Sequence, residues 1–149
     1  MKLDEKGHYA PPPRLPVHAQ AVSNVLASWS GVHARTHWLL GDESQVDGAD
    51  FYVGQRELGH IHLQGEAHIA VPKALRDALI QAGLASPFRW SPAFVVYSIS
   101  KAAHIAPATA LFELAYDHLQ GVAPAELVAR VARLAAARRK PSSELADQR

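Results

Sequence analysis

His60 and His62 stand one residue apart, and His68 follows shortly after them. Nine of the 149 residues are histidine and none is cysteine. Imidazole is the side chain whose ordinary pKa lies nearest neutrality, so histidines gathered on one surface suit proton transfer or metal ligation. The lack of cysteine excludes disulfides, thiolate ligands and a cysteine nucleophile. The chain also lacks a G-x-S-x-G elbow, a phosphate-binding glycine loop and an H-E-x-x-H zinc helix. Whatever chemistry the chain performs is sought at its histidines.

Their placement depends on strands. In VHARTHWLL the period is two: Ala34, Thr36, Trp38 and Leu40 fall on one face, and His33, Arg35, His37 and Leu39 on the other. Gly41 to Gly48 reads as a loop. The run FYVGQRELGHIHLQGEAHIAVP reads as three antiparallel strands, Phe51 to Val53, Arg56 to Leu63 and Ala67 to Val71. The hairpin at Gly65 sets the register. A two-residue turn at Gln64-Gly65 would pair Ile61 with His68 and send His68 away from His60 and His62. A three-residue loop, Gln64-Gly65-Glu66, pairs His62 with His68 and keeps Ile61, Leu63, Ala67, Ile69 and Val71 together behind them. The second register separates apolar from polar residues and is the expected one. It gathers His60, His62 and His68 on one face, joined by His33, Arg35 and His37 if the first strand enters the same sheet. Three readings fit such a face: a solvated surface, a proton-transfer or ligand pocket, and a metal site.

The metal reading has a specific spacing behind it. Gly54, His60, His62 and Glu66 reproduce G-x5-H-x-H-x3-E, the first motif of cupins, and would supply His60, His62 and Glu66 as ligands. Lys73 stands where that motif closes on glycine, no second cupin motif follows, and Pro72 starts a helix within what should be a barrel. No metal is therefore expected.

Helical spacing appears from about His18 to Ser28, in KALRDALIQAG, in APATALFELAYDHLQG, and from Pro124 to about Arg138; FVVYSIS is a further strand. The expected fold is α+β: a twisted, mainly antiparallel sheet of about five strands with helices packed on one face. Residues 1–16, with four prolines, read as an extended arm, residues 17–139 as the single domain, and residues 140–149 as a disordered tail. Fifteen Lys and Arg against 14 Asp and Glu give a formal charge of +1. That balance lacks the basic excess of a nucleic-acid-binding domain, so no nucleic acid is expected. No apolar run is long enough to span a bilayer, so a cytoplasmic protein without a membrane partner is expected; the oligomeric state is left open.

The segments His33-Ala34-Arg35 with Leu39-Leu40, then Arg56-Glu57-Leu58-Gly59-His60-Ile61-His62, then His68-Ile69, resemble the luciferase domain of fungal bioluminescence, shared with small bacterial proteins of unknown function. The likeness runs from about Val32 to Leu119, and R-E-[apolar]-[small]-H-[apolar]-H is its most specific element. The resemblance implies oxygenase-like chemistry on a small organic molecule, with O2 as co-substrate and no other cofactor. It makes His60, His62 and His68 the catalytic candidates, and His33, Arg35, Arg56 and Glu57 the substrate-binding ones. A histidine pair would deprotonate an enol and Arg35 would stabilise the anion. Gly83-Leu84 and Ser86-Pro87 replace the W-G and H-P of fungal luciferase, so light emission is not expected. A weaker, topological resemblance is to the MmcQ/YjbR-like proteins, which implies a noncatalytic binding module.

Overall fold

The structure, a computed structural model, describes residues 2–147. Its centre is a six-stranded antiparallel sheet in the order β1-β2-β3-β4-β6-β5. The strands are β1 (Val32–Leu39), β2 (Asp42–Val53), β3 (Arg56–His62), β4 (Glu66–Ala70), β5 (Ser86–Pro87) and β6 (Phe94–Ser98). The helices are α1 (Val17–Ser28), α2 (Lys73–Gln81), α3 (Ile105–Leu119) and α4 (Pro124–Asp147). This is the α+β class the hydrophobic periods predict.

One sheet face is the core. Ala49, Phe51, Ile61, Ala67 and Ile69 are fully buried there. Ala19, Val22 and Leu26 of α1 and Ala108, Leu111, Phe112 and Ala115 of α3 join the same cluster. Each of the larger side chains gains about 1.5–3 kcal/mol by leaving water. The period of two along the strands and the roughly 3.6 along the helices therefore point the same residues inward.

Several boundaries differ from the sequence reading. Gly41 to Gly48 is not a loop: the chain turns at Leu40-Gly41, and Asp42 onward is already β2. Its polar residues are tolerated because Glu43 to Val46 project into solvent beyond the core. The short β5 pairs with β6 and has no counterpart in the expected strands. The last helix continues past Arg138 to Asp147, so residues 140–147 of the expected disordered tail are helical; Gln148 and Arg149 lie outside the described residues. No glycine follows Gly121 to stop that helix, and Ala135 to Arg139 are strong helix formers.

The β3–β4 register is also corrected. Ile61 pairs with Ala67 and His60 with His68, so the loop is Leu63-Gln64-Gly65 instead of Gln64-Gly65-Glu66. Gly65 thus occupies the last loop position, where three-residue hairpins favour a left-handed residue, and its φ is 97°. Its N–H donates to the His62 carbonyl at 2.9 Å. A Cβ here would lie 2.5 Å from the Ile99 carbonyl oxygen. The slip from the expected pairing is two residues, which preserves parity, so the separation of faces survives.

The N-terminal arm runs along the free edge of β1. The Thr36 N–H donates to the Ala10 carbonyl at 2.8 Å, and the Thr36 hydroxyl donates to the Pro11 carbonyl. This contact covers part of an otherwise open sheet edge.

Candidate histidine and carboxylate site

The face opposite the core carries a continuous polar ladder. Arg35, Asp50, His60, His68 and Val96 are successive cross-strand partners across β1, β2, β3, β4 and β6. Two residues further along, His37, Gly48 and His62 form a second row. Gly48 has no side chain, which leaves His37 free to lean across β2. Its ring stacks on His60 with centroids 4.1 Å apart and planes 7° from parallel, and meets the edge of His62 at 5.3 Å.

A bulge brings in Glu57. Phe51 pairs with Gly59 and Tyr52 with Glu57, so Leu58 is the extra residue on β3. Without it, Glu57 and His60 would point to opposite faces, because three residues separate them. With it, His60 Nδ1 donates to Glu57 Oε1 at 3.0 Å.

Each imidazole of the cluster has its own carboxylate. His37 Nδ1 lies 2.8 Å from Asp50 Oδ1, His62 Nδ1 3.0 Å from Asp47 Oδ2, and His68 Nε2 2.7 Å from Glu66 Oε1. Between the rings, His60 Nε2 faces His68 Nδ1 at 3.1 Å. Lys6, from the arm, places Nζ 3.6 Å from both Asp50 Oδ2 and Glu57 Oε1. Phe88 covers His68 at 4.5 Å between ring centres, and Phe94 lies 5.8 Å from His60. His60 and His68 are buried, whereas Glu66 is 41 % exposed and marks the solvent side.

Burial is the main cause that pushes the His60 pKa down to about 4; the Glu57 hydrogen bond opposes it and the neighbouring His37 adds to it. Burial likewise lowers His62, against the pull of Asp47 and with help from His68 and His37. Burial would raise Glu57, but the hydrogen bond and charge of His60, with Lys6, hold it below the usual carboxylate value. Beside this cluster opens a cleft of about 600 Å³, whose walls include Arg56, Glu57, Val71, Pro72, Phe94 and Leu119. Glu57 therefore lies between the cleft and His60.

Residues 55–115 match the model of the Luciferase domain family. Over this segment the chain is similar to the luciferase domain. The match covers the R-E-L-G-H-I-H run of β3 and His68 on β4, and ends within α3. It leaves out β1 and β2, so the luciferase domain model does not extend to His33, Arg35, His37, Asp47 or Asp50. No curated protein and no solved structure matches the chain.

Within the matched segment, His60, His62, His68 and Glu57 come together. Arg35 is buried on the same face, but its Nη2 donates to the carbonyls of Gly7 and His8 at 3.0 and 2.6 Å, tying it to the arm. Arg56 is exposed on the cleft wall, and His33 is exposed at the start of β1, away from the cluster. Among the described residues, the groups of His, Asp and Glu close enough to hold one ion are His37, His60, His62 and Asp50, Glu57, His60. The spacing-derived set His60, His62, Glu66 is not among them, because Glu66 turns to His68. Asp47 and Asp50 were missed by the sequence reading. Extending the alternation of Phe51 to Val53 backwards through Asp50 would have placed Asp50 on the histidine face.

Proposed function

We propose that this luciferase-domain protein is cytoplasmic and binds a small organic molecule at the cleft beside Glu57. Glu57, which lines the cleft with His60 behind it, accepts a proton from the bound molecule and passes it to His60, and O2 is the co-substrate of an oxygenase-type reaction on the enolate so formed. The observation that supports this most directly is the unbroken chain Glu57, His60, His68, Glu66, which joins the cleft wall to an exposed carboxylate. Such a chain gives an abstracted proton a route to solvent. Arg56 supplies a positive charge at the rim, where it would attract the anionic form of the molecule. Among the described residues no helix is long and apolar enough to cross a membrane, which is consistent with a freely diffusing partner.

The burial of His60 and His68 under Phe88 and Phe94 favours a second reading, in which the cluster is structural and the domain only binds. A calorimetric screen of phenolic and pyrone compounds against wild type, His60→Ala and His68→Ala separates the two. The acid–base reading expects at least one compound to bind wild type and to lose tenfold or more in affinity with His60→Ala. Equal binding by all three proteins would refute the histidine pocket and leave the binding module.

A further inference from the structure

A second cavity, of about 600 Å³, opens in the helix layer. It shares no lining residue with the cleft beside Glu57. Strand parity puts the two on opposite faces of the sheet. Val96 pairs with His68, whereas Tyr97, the next residue of β6, pairs with the core residue Ala67 and so turns toward the helices. Leu84, Leu111 and Leu134 give the cavity an apolar floor. Leu111 is buried, and the other two pack against the core from its edge.

Three polar side chains line the same cavity, and each is a donor. His104 is fixed in one tautomer: its Nδ1 accepts the Ser100 backbone N–H at 3.1 Å, so the neutral ring carries its proton on Nε2. Its ring meets that of Tyr97 edge-on at 5.8 Å between centres. Burial raises the Tyr97 pKa, so the phenol keeps its proton, and the positive charge of Arg138 is near enough to oppose that rise. Arg138 Nη1 donates to the Gly83 carbonyl at 3.2 Å, and the guanidinium has no carboxylate partner among the described residues. No aspartate or glutamate among them lines the cavity. The first turn of α3 opens onto it as well, at the positive end of that helix's dipole. An apolar floor with an uncompensated cation and neutral donors is complementary to an anion that carries an apolar body.

We propose that this cavity binds an apolar monocarboxylate, with its hydrocarbon part on Leu84, Leu111 and Leu134 and its carboxylate at Arg138, Tyr97 and His104. The site is separate from the acid–base site and does not rest on it. One guanidinium flanked by neutral donors balances a single negative charge, which favours a carboxylate over a multiply charged phosphate.

The test is calorimetry on the full chain at neutral pH with three probes: octanoate, 1-octanol, which keeps the chain without the charge, and acetate, which keeps the charge without the chain. Octanoate is expected to bind one per chain, octanol about tenfold or more weaker, and acetate not measurably. Arg138→Gln should lower octanoate affinity by about tenfold or more and leave octanol unchanged, whereas Arg139→Gln, one residue along the helix, should leave both unchanged. Ala110→Trp, which fills the cavity from α3, should remove the binding of both, with circular dichroism confirming that the variant is folded. His60→Ala should bind octanoate as wild type does. No octanoate binding to wild type, equal affinity for octanoate and octanol, or an undiminished affinity in Arg138→Gln would overturn the site. Loss of octanoate binding in folded His60→Ala would overturn it too, since it would place the ligand in the cleft beside Glu57. The phenolic and pyrone screen is decided at His60 and His68 and this one at Arg138, so either can fail without the other.

Discussion

At the scale of single residues, the polar face mixes groups that are well partnered with buried atoms that lack a hydrogen bond, among them Arg35 Nε, Asp50 Oδ2 and the Tyr52 hydroxyl. Tyr52 is fully buried, and its hydroxyl has no hydrogen-bond partner among the described residues. Burial, followed by the nearby Glu57 and Asp50, raises its pKa, so the hydroxyl stays protonated. An unsatisfied buried hydroxyl costs about 1–3 kcal/mol in lost hydration, whereas removing it leaves no orphan behind. Tyr52→Phe is therefore expected to match or exceed wild-type stability, by up to about 1 kcal/mol in urea unfolding. A clear loss would mean that the hydroxyl is bonded to water or to a ligand in solution. Glu57 predicts the opposite sign. Glu57→Ala strips His60 Nδ1 of its acceptor and Lys6 of one of its two carboxylates, at a cost of about 1–3 kcal/mol, and Glu57→Gln should recover part of it.

Elements turn those residues into a site, and it is at this scale that sequence and structure part company. Alternation was enough to put His37, His60, His62 and His68 on one face, because parity survives any even error in register. It could not locate the carboxylates. Glu57 reaches His60 only through the Leu58 bulge, and a bulge is decided by tertiary fit that a period of two does not encode. Asp47 was obscured because a strand segment reaching into solvent has the composition of a loop, and Asp50, though buried, falls between that expected loop and the expected strand start at Phe51. Gly59 is the visible trace of the bulge. Its φ is 156°, and a Cβ there would lie 2.5 Å from the His68 carbonyl oxygen and 2.8 Å from a Phe112 ring carbon. Gly59→Ala should cost about 1–3 kcal/mol by overpacking and also displace Glu57 from His60. Gly65→Ala carries a similar cost from its backbone conformation, but leaves the bulge intact. Unfolding curves alone would rank the two variants alike. The His60 imidazole NMR signals should move in the first and stay in the second, and the converse pattern would mean that the bulge does not position Glu57.

Across the whole molecule, the two sheet faces are coupled through one side chain. Phe112 of α3 is fully buried, meets Phe51 edge-on at 6.3 Å between ring centres, and lies directly under Gly59. The apolar core thus supports the backbone from which His60 projects on the other side. Removing a buried phenylalanine ring costs about 3–5 kcal/mol, a large share of the roughly 5–15 kcal/mol that holds such a domain folded. Phe112→Ala is therefore expected to lower the unfolding midpoint sharply, and Phe112→Leu, which fills more of the space, to lower it less. Stability alone would not separate this role from that of any core residue. Leu26→Ala supplies the comparison, since Leu26 of α1 is equally buried but is not among the closest neighbours of Gly59. Under conditions where both variants remain folded, Phe112→Ala should disturb the His60 and His68 imidazole signals and Leu26→Ala should not. Equal disturbance by both would show that the polar face follows global stability instead of the contact between α3 and the bulge.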